Sequence, residues 1–375
     1  MIVTELWNFK YSEPILGMAL GDINSDDSTE ILAYTKSGKI LLLSLSGKLL
    51  FEQEISENSS IWCAKIHDID RDGINELILG GMDGILRVFK CKSESFDLEP
   101  FWAHQFGSSI SGILIDDVSN DKKEELIVYS LDKSIRVINP LNGELVWGEV
   151  FEDGIGDAIV WTNDDLARHL KEIFACGNDG TIRIYAANNG ELLWNKRFFE
   201  KIRCISGINS KEGPLVLCGG DDKILHFIDK EDQIEMESIE FNDYIWKILS
   251  YPHSSPNKAL VSTYSFAFLE EESIPIEEIK FTSKLVSIDD ELNIEWELNG
   301  KNIESLRLLE KQESIYIHLG TTTGDVIILN PQNGEILSKI NQKSCTNMTL
   351  DLLKNNLLFS CHDNGSVFAY FLEDY

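Results

Sequence analysis

The sequence predicts an all-β protein that repeats one four-strand unit eight times. Similar acidic loops begin at Asp22, Asp68 and Asp117, about 47 residues apart. Tight glycine turns, as at Gly38 and Gly84, keep the same period. Short alternating apolar runs between such turns are typical of antiparallel strands. Four-stranded sheets repeated around an axis form a β-propeller, so we expect an eight-bladed one.

Each unit divides into strands A to D in the same order. Strand A is apolar and ends in the acidic loop, B resembles ELILGG, and C resembles TIRIYAA. Strand D follows an Asn-Gly or Ser-Gly turn and resembles GELLW. Tryptophans recur on the D strands, where a large ring can fill the gap to the next blade. These are Trp7, Trp102, Trp147, Trp194 and Trp296.

We expect one domain over residues 1–375. The predicted blades cover residues 14–57, 60–106, 109–153, 155–200, 201–242, 244–300, 303–343, and 345–375 together with 3–11. The last stretch supplies only three strands, whereas ELWNFK, at residues 5–10, matches the outer-strand pattern of ELLWNKRF. The N-terminal strand is therefore predicted to join the C-terminal blade and to close the ring, which removes the free sheet edges.

The charge balance argues against two classes of partner. The chain has 63 acidic and 33 basic residues and a formal net charge of −30. Nucleic acids and anionic membrane surfaces are bound through Lys and Arg, so neither is expected. The first residues lack the pattern of a signal peptide, and no apolar run is long enough to span a bilayer. We therefore expect a cytoplasmic protein.

The loop after the second A strand has the composition of a cation site. Its oxygen-bearing residues Asp68, Asp70, Asp72 and Glu76 stand at positions 1, 3, 5 and 9, with Gly73 at position 6. Ca²⁺ takes about 6–8 oxygen ligands, and a glycine at the sharpest bend lets a short loop wrap around the ion. An EF-hand is excluded, because a β-type run follows Glu76 directly.

Two families are similar to these segments. The acidic loops, as in IHDIDRDGINELILGG, resemble FG-GAP repeats of the integrin-α type. The outer hairpins, such as DGTIRIYAANNGELLW, resemble the tryptophan-docking repeats of eight-bladed quinoprotein-like propellers. The FG-GAP resemblance implies Ca²⁺ in the A–B loops and protein binding on the faces of the ring. Mg²⁺ is expected to compete for the same loops.

The resemblance also implies a ligand set for each of the first three blades. In the second blade the ligands are Asp68, Asp70, Asp72 and Glu76 with the carbonyl of Ile74. In the first they are Asp22, Asn24, Asp26 and Glu30 with the carbonyl of Ser28, and Asp27 replaces the glycine of the pattern. In the third they are Asp117, Ser119, Asp121 and Glu125. The alternative is that these acidic residues only cap turn amides and bind nothing.

The sequence favours a non-enzymatic interaction scaffold, as a monomer or a subunit of a hetero-complex. No vicinal cysteine pair or nucleophile, phosphate or zinc motif is visible. Two alternatives stay open, an enzyme and a small-molecule or glycan binder, each with its site in the axial funnel. For the binder, Trp62, Trp161 and Trp246 are the first rings to inspect.

The sixth unit carries an insertion at residues 266–282 that mixes apolar and acidic side chains. Its predicted partner-binding residues are Phe266, Phe268, Leu269, Ile274, Ile276 and Ile279. If the insertion projects, its apolar side requires a cover, which we expect to be another protein. The alternative is a hairpin folded back on its own blade.

Overall fold

The computed structural model describes residues 2–91, 96–162, 171–211, 213–251, 257–266, 279–311, 314–352 and 355–373. These residues form 32 strands in eight four-stranded antiparallel sheets. The described ranges contain no α-helix, and hence no helix of the length and apolarity needed to cross a bilayer. The predicted all-β, eight-bladed fold is confirmed.

Blades 1 to 4 run from the inner to the outer strand in chain order. Blade 1 consists of β2 (Ile15–Gly21), β3 (Glu30–Thr35), β4 (Lys39–Ser44) and β5 (Leu49–Glu54). Blade 2 consists of β6 (Ile61–His67), β7 (Glu76–Gly81), β8 (Ile85–Cys91) and β9 (Leu98–Gln105). Blade 3 consists of β10 (Ile110–Asp116), β11 (Glu125–Ser130), β12 (Ser134–Ile138) and β13 (Leu145–Val150). Blade 4 consists of β14 (Ile155–Thr162), β15 (Lys171–Gly177), β16 (Thr181–Ala186) and β17 (Leu192–Arg197).

Blades 5 to 7 repeat this order, and blade 8 is composite. Blade 5 consists of β18 (Ile202–Ser210), β19 (Gly213–Gly220), β20 (Ile224–Asp229) and β21 (Glu235–Glu240). Blade 6 consists of β22 (Tyr244–Ser250), β23 (Ala259–Tyr264), β24 (Lys284–Ile288) and β25 (Ile294–Asn299). Blade 7 consists of β26 (Ile303–Lys311), β27 (Ser314–Thr321), β28 (Asp325–Leu329) and β29 (Ile336–Asn341). Blade 8 consists of β30 (Thr346–Leu352), β31 (Leu357–His362), β32 (Ser366–Glu373) and β1 (Ile2–Lys10).

The ring is closed by the N-terminal strand, as predicted. Strand β1 pairs antiparallel with β32, from Ile2 opposite Glu373 to Lys10 opposite Ser366. Each innermost strand also contacts the next one around the whole circle, including the contact between β30 and β2. Closure places β32 between β31 and β1, so its backbone groups are hydrogen-bonded on both sides.

The hydrophobic core lies between neighbouring blades. Every residue of β3 and of β7 is buried. One cluster joins Ile40 and Leu42 of blade 1 to Leu77 and Leu79 of blade 2. Full burial of one such side chain stabilises a fold by about 1.5–3 kcal/mol. Because each blade shares its core with two neighbours, the blades depend on one another for stability.

All eight innermost strands carry a β-bulge near their start, after the second residue in β22 and after the first residue in the other seven. A bulge inserts one residue into the strand and changes the direction in which the side chain of that residue points. The inserted residues are Leu16, Trp62, Ser111, Gly156, Arg203, Trp246, Glu304 and Asn347. They lie at the face that carries the B–C turns and the links between blades, which we call the upper face. The A–B loops and C–D turns form the lower face.

Four of the five D-strand tryptophans dock on the next blade, as the sequence predicts. The indole Nε1 of Trp147 donates a hydrogen bond of 2.9 Å to the carbonyl of Ala187. A Cβ on Gly190, which has φ of 74°, would lie 2.6 Å from this ring. The same contacts occur at Trp7, Trp102 and Trp296. Trp194 is buried without a hydrogen-bond partner for Nε1, and the turn it faces has Gln233 in place of glycine.

We expect Trp147→Phe to destabilise the protein by about 1–2 kcal/mol, because it removes the hydrogen bond to Ala187 and part of the ring that packs on Gly190. Chemical denaturation at equilibrium measures this change. The matched control is Trp62→Phe, since Trp62 is 53% exposed and its replacement should change stability by less than about 0.5 kcal/mol. Equal losses for the two variants would contradict a docking role.

Candidate functional sites on the two faces

The three acidic loops of the lower face share one conformation. In each loop the glutamate at position 9 accepts a hydrogen bond from the backbone N–H of position 2. The three distances are 2.9 Å for Glu30, 3.0 Å for Glu76 and 3.0 Å for Glu125. The residue at position 6 has a positive φ in all three, at Asp27, Gly73 and Lys122. Only the glycine adopts this backbone without strain, as the sequence pattern anticipates.

In blade 2 three of the five predicted ligands converge. One oxygen from each of Asp68, Asp70 and Glu76 lies within 4.8 Å of the others. Oδ1 of Asp68 and Oε1 of Glu76 are buried and accept no hydrogen bond. Such oxygens suit a hard cation. The donor set therefore fits a divalent metal.

A lysine enters the same loop from strand β8. The Lys90 ammonium contacts Asp70, lies 2.8 Å from Oδ2 of Asp72 and lies 3.6 Å from Oε1 of Glu76. It thus supplies one positive charge where the sequence predicts a metal ion. Burial nevertheless raises the pKa of the fully buried Glu76 to about 7. A divalent ion in blade 2 has to compete with this internal cation.

Blades 1 and 3 have no lysine at the corresponding position. Ser44 stands opposite Glu30 in blade 1, and the register of β11 with β12 places Asn139 beside Glu125 in blade 3. In blade 1, Oδ1 of the buried Asn24 accepts no hydrogen bond. The acidic loop of blade 1 is therefore the one whose buried oxygens lack a cation among the described residues.

This lack of a cation has a consequence for pH. Burial, together with repulsion by Asp26 and Asp22, raises the pKa of Glu30 to about 7. The folded protein therefore binds a proton that the unfolded chain releases near pH 4.5. Stability is then lost as the pH rises from about 4.5 to about 7.

We expect Glu30→Gln to remove this part of the pH dependence, because a neutral amide still accepts the Ile23 N–H hydrogen bond. In a chelator, the variant should be as stable as the wild type at pH 4.5 and more stable at pH 8. Thermal unfolding midpoints across this range measure the difference. Parallel curves for the two proteins would show that Glu30 does not titrate in this window.

The upper face carries an exposed apolar patch on blades 2 and 3. Trp62, Met82 and Leu131 are 53%, 49% and 45% exposed. The backbone N–H of Met82 donates to Ser60, and the N–H of Leu131 donates to Ser109. The Ser109 hydroxyl donates in turn to the carbonyl of Met82 at 3.1 Å. These bonds bring the B–C turns of blades 2 and 3 close together, and Trp62 lies two residues after Ser60. We call Trp62, Met82 and Leu131 the upper patch.

An aromatic cluster lies on the same face, at blade 6. The rings of Tyr244, Trp246, Tyr264 and Phe266 have centroids 4.7–5.8 Å apart. The Arg203 guanidinium stacks over Trp246 at 5.0 Å. The cluster lies where the predicted insertion begins, and its rings are partly or fully buried.

The predicted partner-binding residues are only partly described. Phe266 belongs to the aromatic cluster, and Ile279 is buried at 9% exposure. Phe268, Leu269, Ile274 and Ile276 lie outside the described residues.

The three tryptophans suggested for the funnel occupy different environments. Trp161 is buried between blades 4 and 5, where a Cβ on Gly207 would lie 2.5 Å from its ring. Trp246 belongs to the aromatic cluster, and Trp62 is exposed in the upper patch. These rings do not form a common stacking site.

The innermost strands bring charged side chains to the axis, which the sequence does not reveal. Lys65, Asp157, Lys247 and Arg307 come from blades 2, 4, 6 and 7. Burial raises the pKa of the nearby Cys63 thiol to about 12. The Cys63 side chain is therefore a neutral thiol at neutral pH and a poor nucleophile.

One family model matches part of the chain. Residues 40–142 match the family described as KICSTOR complex protein kaptin. This segment runs from β4 to the C–D turn of blade 3, which is less than half of the chain. It contains the whole upper patch and the acidic loops of blades 2 and 3. No curated protein sequence matches the chain.

Solved structures share the fold over the whole chain. Sqt1 from Saccharomyces cerevisiae has a TM-score of 0.75 and 12% identity, covering 100% of both chains. Sqt1 from Chaetomium thermophilum, solved bound to the N-terminus of ribosomal protein L10, has a TM-score of 0.75 and 12% identity, covering 98% of this chain and 100% of that chain. BamB from Moraxella catarrhalis has a TM-score of 0.65 and 16% identity, covering 99% and 100%. These identities show the fold alone, and the FG-GAP resemblance stays a prediction.

Proposed function

We propose that this propeller is a non-enzymatic interaction scaffold that holds another protein on its upper face. The observation that carries the proposal is the upper patch, where a tryptophan, a methionine and a leucine on adjacent blades are each about half exposed. Contiguous exposed apolar surface on a folded protein marks a binding site, and tryptophan is enriched among the residues that dominate binding energy.

Two comparisons support a protein-binding role. The kaptin family, whose model overlaps the upper patch, is named for a protein of a multiprotein complex. A propeller of the same fold has been solved with the N-terminus of another protein bound. We therefore propose that this chain is a subunit of a hetero-complex. Its net charge of −30 favours a partner with basic residues around an apolar anchor.

We place the protein in the cytoplasm. None of the seven cysteines, all of which lie in the described ranges, forms a disulfide bond, and five of them are buried. A chain in an oxidising compartment more often pairs its cysteines in disulfides. Buried thiols outside disulfides act here as small apolar side chains in the strands.

We also propose that the lower face holds structural Ca²⁺, with Mg²⁺ as a competitor. The buried Asn24 and Glu30 of blade 1, which face no cation among the described residues, would hold the ion together with the more exposed Asp22 and Asp26. The ion would neutralise the loop and tie β2 to β3. The loops of blades 2 and 3 are weaker candidates, the former because of Lys90 and the latter because Ser119 replaces a carboxylate.

The partner proposal is tested by purifying tagged protein from its native cells. We expect the wild type to elute as a complex larger than the monomer, and Trp62→Ser/Met82→Ser to lose at least tenfold of the associated protein. The matched control is Leu145→Ser on the outer strand of blade 3, because Leu145 is also 53% exposed and lies away from the upper face.

If the patch variant and the control retain equal amounts of partner, the upper patch is not the contact. If the wild type elutes as a monomer, the scaffold proposal itself fails. A thermal unfolding midpoint for each variant shows that a loss of binding does not come from a loss of folding.

A further inference from the structure

A turn aspartate, a cation on the C strand that follows it and a phenylalanine of the preceding link form a repeated contact between blades. In blade 3, the Arg136 guanidinium lies 2.9 Å from Asp132 and stacks over the Phe106 ring at 4.2 Å. The backbone N–H of Phe106 donates to Gly84 in the B–C turn of blade 2. Phe106 is therefore held by blade 2 and packs on blade 3, so the three side chains join the two blades. We call this arrangement the inter-blade lock.

A second lock joins blades 3 and 4. Arg183 stands four residues after the turn residue Asp179 and stacks over the Phe151 ring at 4.0 Å. The backbone N–H of Phe151 donates to Lys133 in the B–C turn of blade 3. Arginine keeps its positive charge and aspartate its negative charge from about pH 5 to about pH 9. These two locks are therefore the same throughout this range.

Blade 5 has a histidine in place of the arginine. His226 is the third residue of β20, as Arg136 and Arg183 are the third residues of β12 and β16. His226 stands four residues after Asp222, and its ring centroid lies 4.4 Å from that of Phe198. The Phe198 N–H donates to the B–C turn of blade 4. The lock between blades 4 and 5 thus depends on a side chain that loses its charge near neutral pH.

Both ring nitrogens of His226 face carboxylates. Nε2 lies 2.8 Å from Oδ2 of Asp222, and Nδ1 lies 2.7 Å from Oε1 of Glu235 on β21. An imidazolium ion donates from both nitrogens, whereas a neutral imidazole has one donor and one acceptor. Loss of the proton therefore leaves a lone pair opposite a carboxylate oxygen. Because His226 is only 6% exposed, water cannot readily replace the lost hydrogen bond.

The other titratable groups around the ring do not take over its charge. Lys196 of β17 lies 3.2 Å from Oε2 of Glu235, so it contacts the other oxygen of the carboxylate that His226 contacts. Cys218 lies opposite His226 on β19, and burial keeps its thiol neutral by raising its pKa. When His226 is neutral, Glu235 therefore keeps one cation, whereas the ion pair between His226 and Asp222 is lost.

The pKa of His226 gives the sign of the effect. Burial lowers this pKa, but the hydrogen bonds to Asp222 and Glu235 outweigh burial and leave it above the ordinary value of 6.5. The folded protein therefore holds a proton that the unfolded chain releases near pH 6.5. The stabilisation by the charged ring is complete below about pH 6.5 and is lost as the pH rises through the pKa of the folded state.

We propose that the junction between blades 4 and 5 is a pH-sensitive joint of the ring, which loosens when His226 loses its proton. The link at residues 198–201 then opens more often. The links before blades 3 and 4 do not respond, because an arginine stands in each of their locks. This proposal does not rest on the upper patch or on the acidic loops.

Hydrogen exchange of the full chain at about pH 6 and about pH 8.5 tests the joint, with each rate corrected for the chemical exchange rate at that pH. We expect the protection of the Phe198 amide to fall at least threefold between the two pH values in the wild type. The Phe151 amide, in the lock that contains Arg183, is the internal control and should change by less than half as much. In His226→Arg, the Phe198 amide should behave as the Phe151 amide does.

A second measurement uses the wild-type ring, in case an arginine does not pack at position 226. NMR of ¹⁵N-labelled histidine follows the protonation of His226, whose signals are identified by their absence in His226→Gln. We expect the ring to titrate above pH 6.5, with the same midpoint as the loss of Phe198 protection. Titration at or below pH 6.5, or equal changes of protection at Phe198 and Phe151, would overturn the proposal.

Discussion

Deletion of residues 2–10 is expected to abolish cooperative folding of the ring. The deletion removes β1 and exposes the edge of β32. It also removes Trp7 and Phe9 from the cluster that joins blades 8 and 1. Loss of one large aromatic side chain from a core costs about 3–5 kcal/mol, and the total stability of a domain is only about 5–15 kcal/mol. Circular dichroism during heating should show no cooperative transition.

A circular permutant provides the control for this deletion. Ile2 pairs with Glu373, so a short turn that connects residue 373 to residue 2 makes β32 and β1 a hairpin. A chain that begins at residue 11 and ends with the transplanted β1 should regain the wild-type transition. A deletion variant that melts cooperatively at the wild-type temperature would show that blade 8 does not need its fourth strand.

Lys90→Ala is expected to destabilise the protein by about 2–3 kcal/mol at pH 8, where Glu76 is ionised. The substitution leaves Asp70, Asp72 and the fully buried Glu76 without their cation. Breaking a buried ion pair typically costs about 3–5 kcal/mol. The expected loss is smaller, because the Lys90 side chain is 30% exposed and water screens part of the interaction. Equilibrium denaturation in a chelator measures it.

The same variant tests whether the acidic loop of blade 2 binds a metal ion. Without Lys90 the loop has a free cation position, so millimolar Ca²⁺ should restore most of the lost stability in Lys90→Ala and add less to the wild type. Lys48→Ala, an exposed lysine of blade 1, serves as the control and should change stability by less than about 0.5 kcal/mol. If the lysine variant is as stable as this control, Lys90 does not act as the cation of the loop.

The repeat made the architecture predictable from the sequence. Glycine turns such as Gly190 and tryptophans such as Trp147 mark the same positions in several blades. These positions require a particular backbone conformation and a particular side-chain packing. The outer-strand pattern around Trp7 predicts that β1 completes the C-terminal blade, and β1 pairs with β32 there. A pattern repeated along the chain shows which turn conformations and packing contacts each unit requires, and the ring consists of these units.

Contacts between segments that are not part of the repeat were not predictable. Lys90 enters the acidic loop only through the register of β7 with β8, and the sequence shows it merely as the end of a strand. The bulges that re-aim Trp62 and Arg203 leave no signature in composition. Lys65 and Arg307 lie 242 positions apart in the chain, and only ring closure brings both to the axis.

Photo-crosslinking from position 62 tests the proposed scaffold role most directly. A photoreactive phenylalanine analogue replaces Trp62 in one protein and the equally exposed Leu145 in another, and each is irradiated in native cells. The account predicts a covalent adduct of defined mass with one protein from position 62 and only background from position 145. Equal adducts from both positions, or none from position 62, would contradict it.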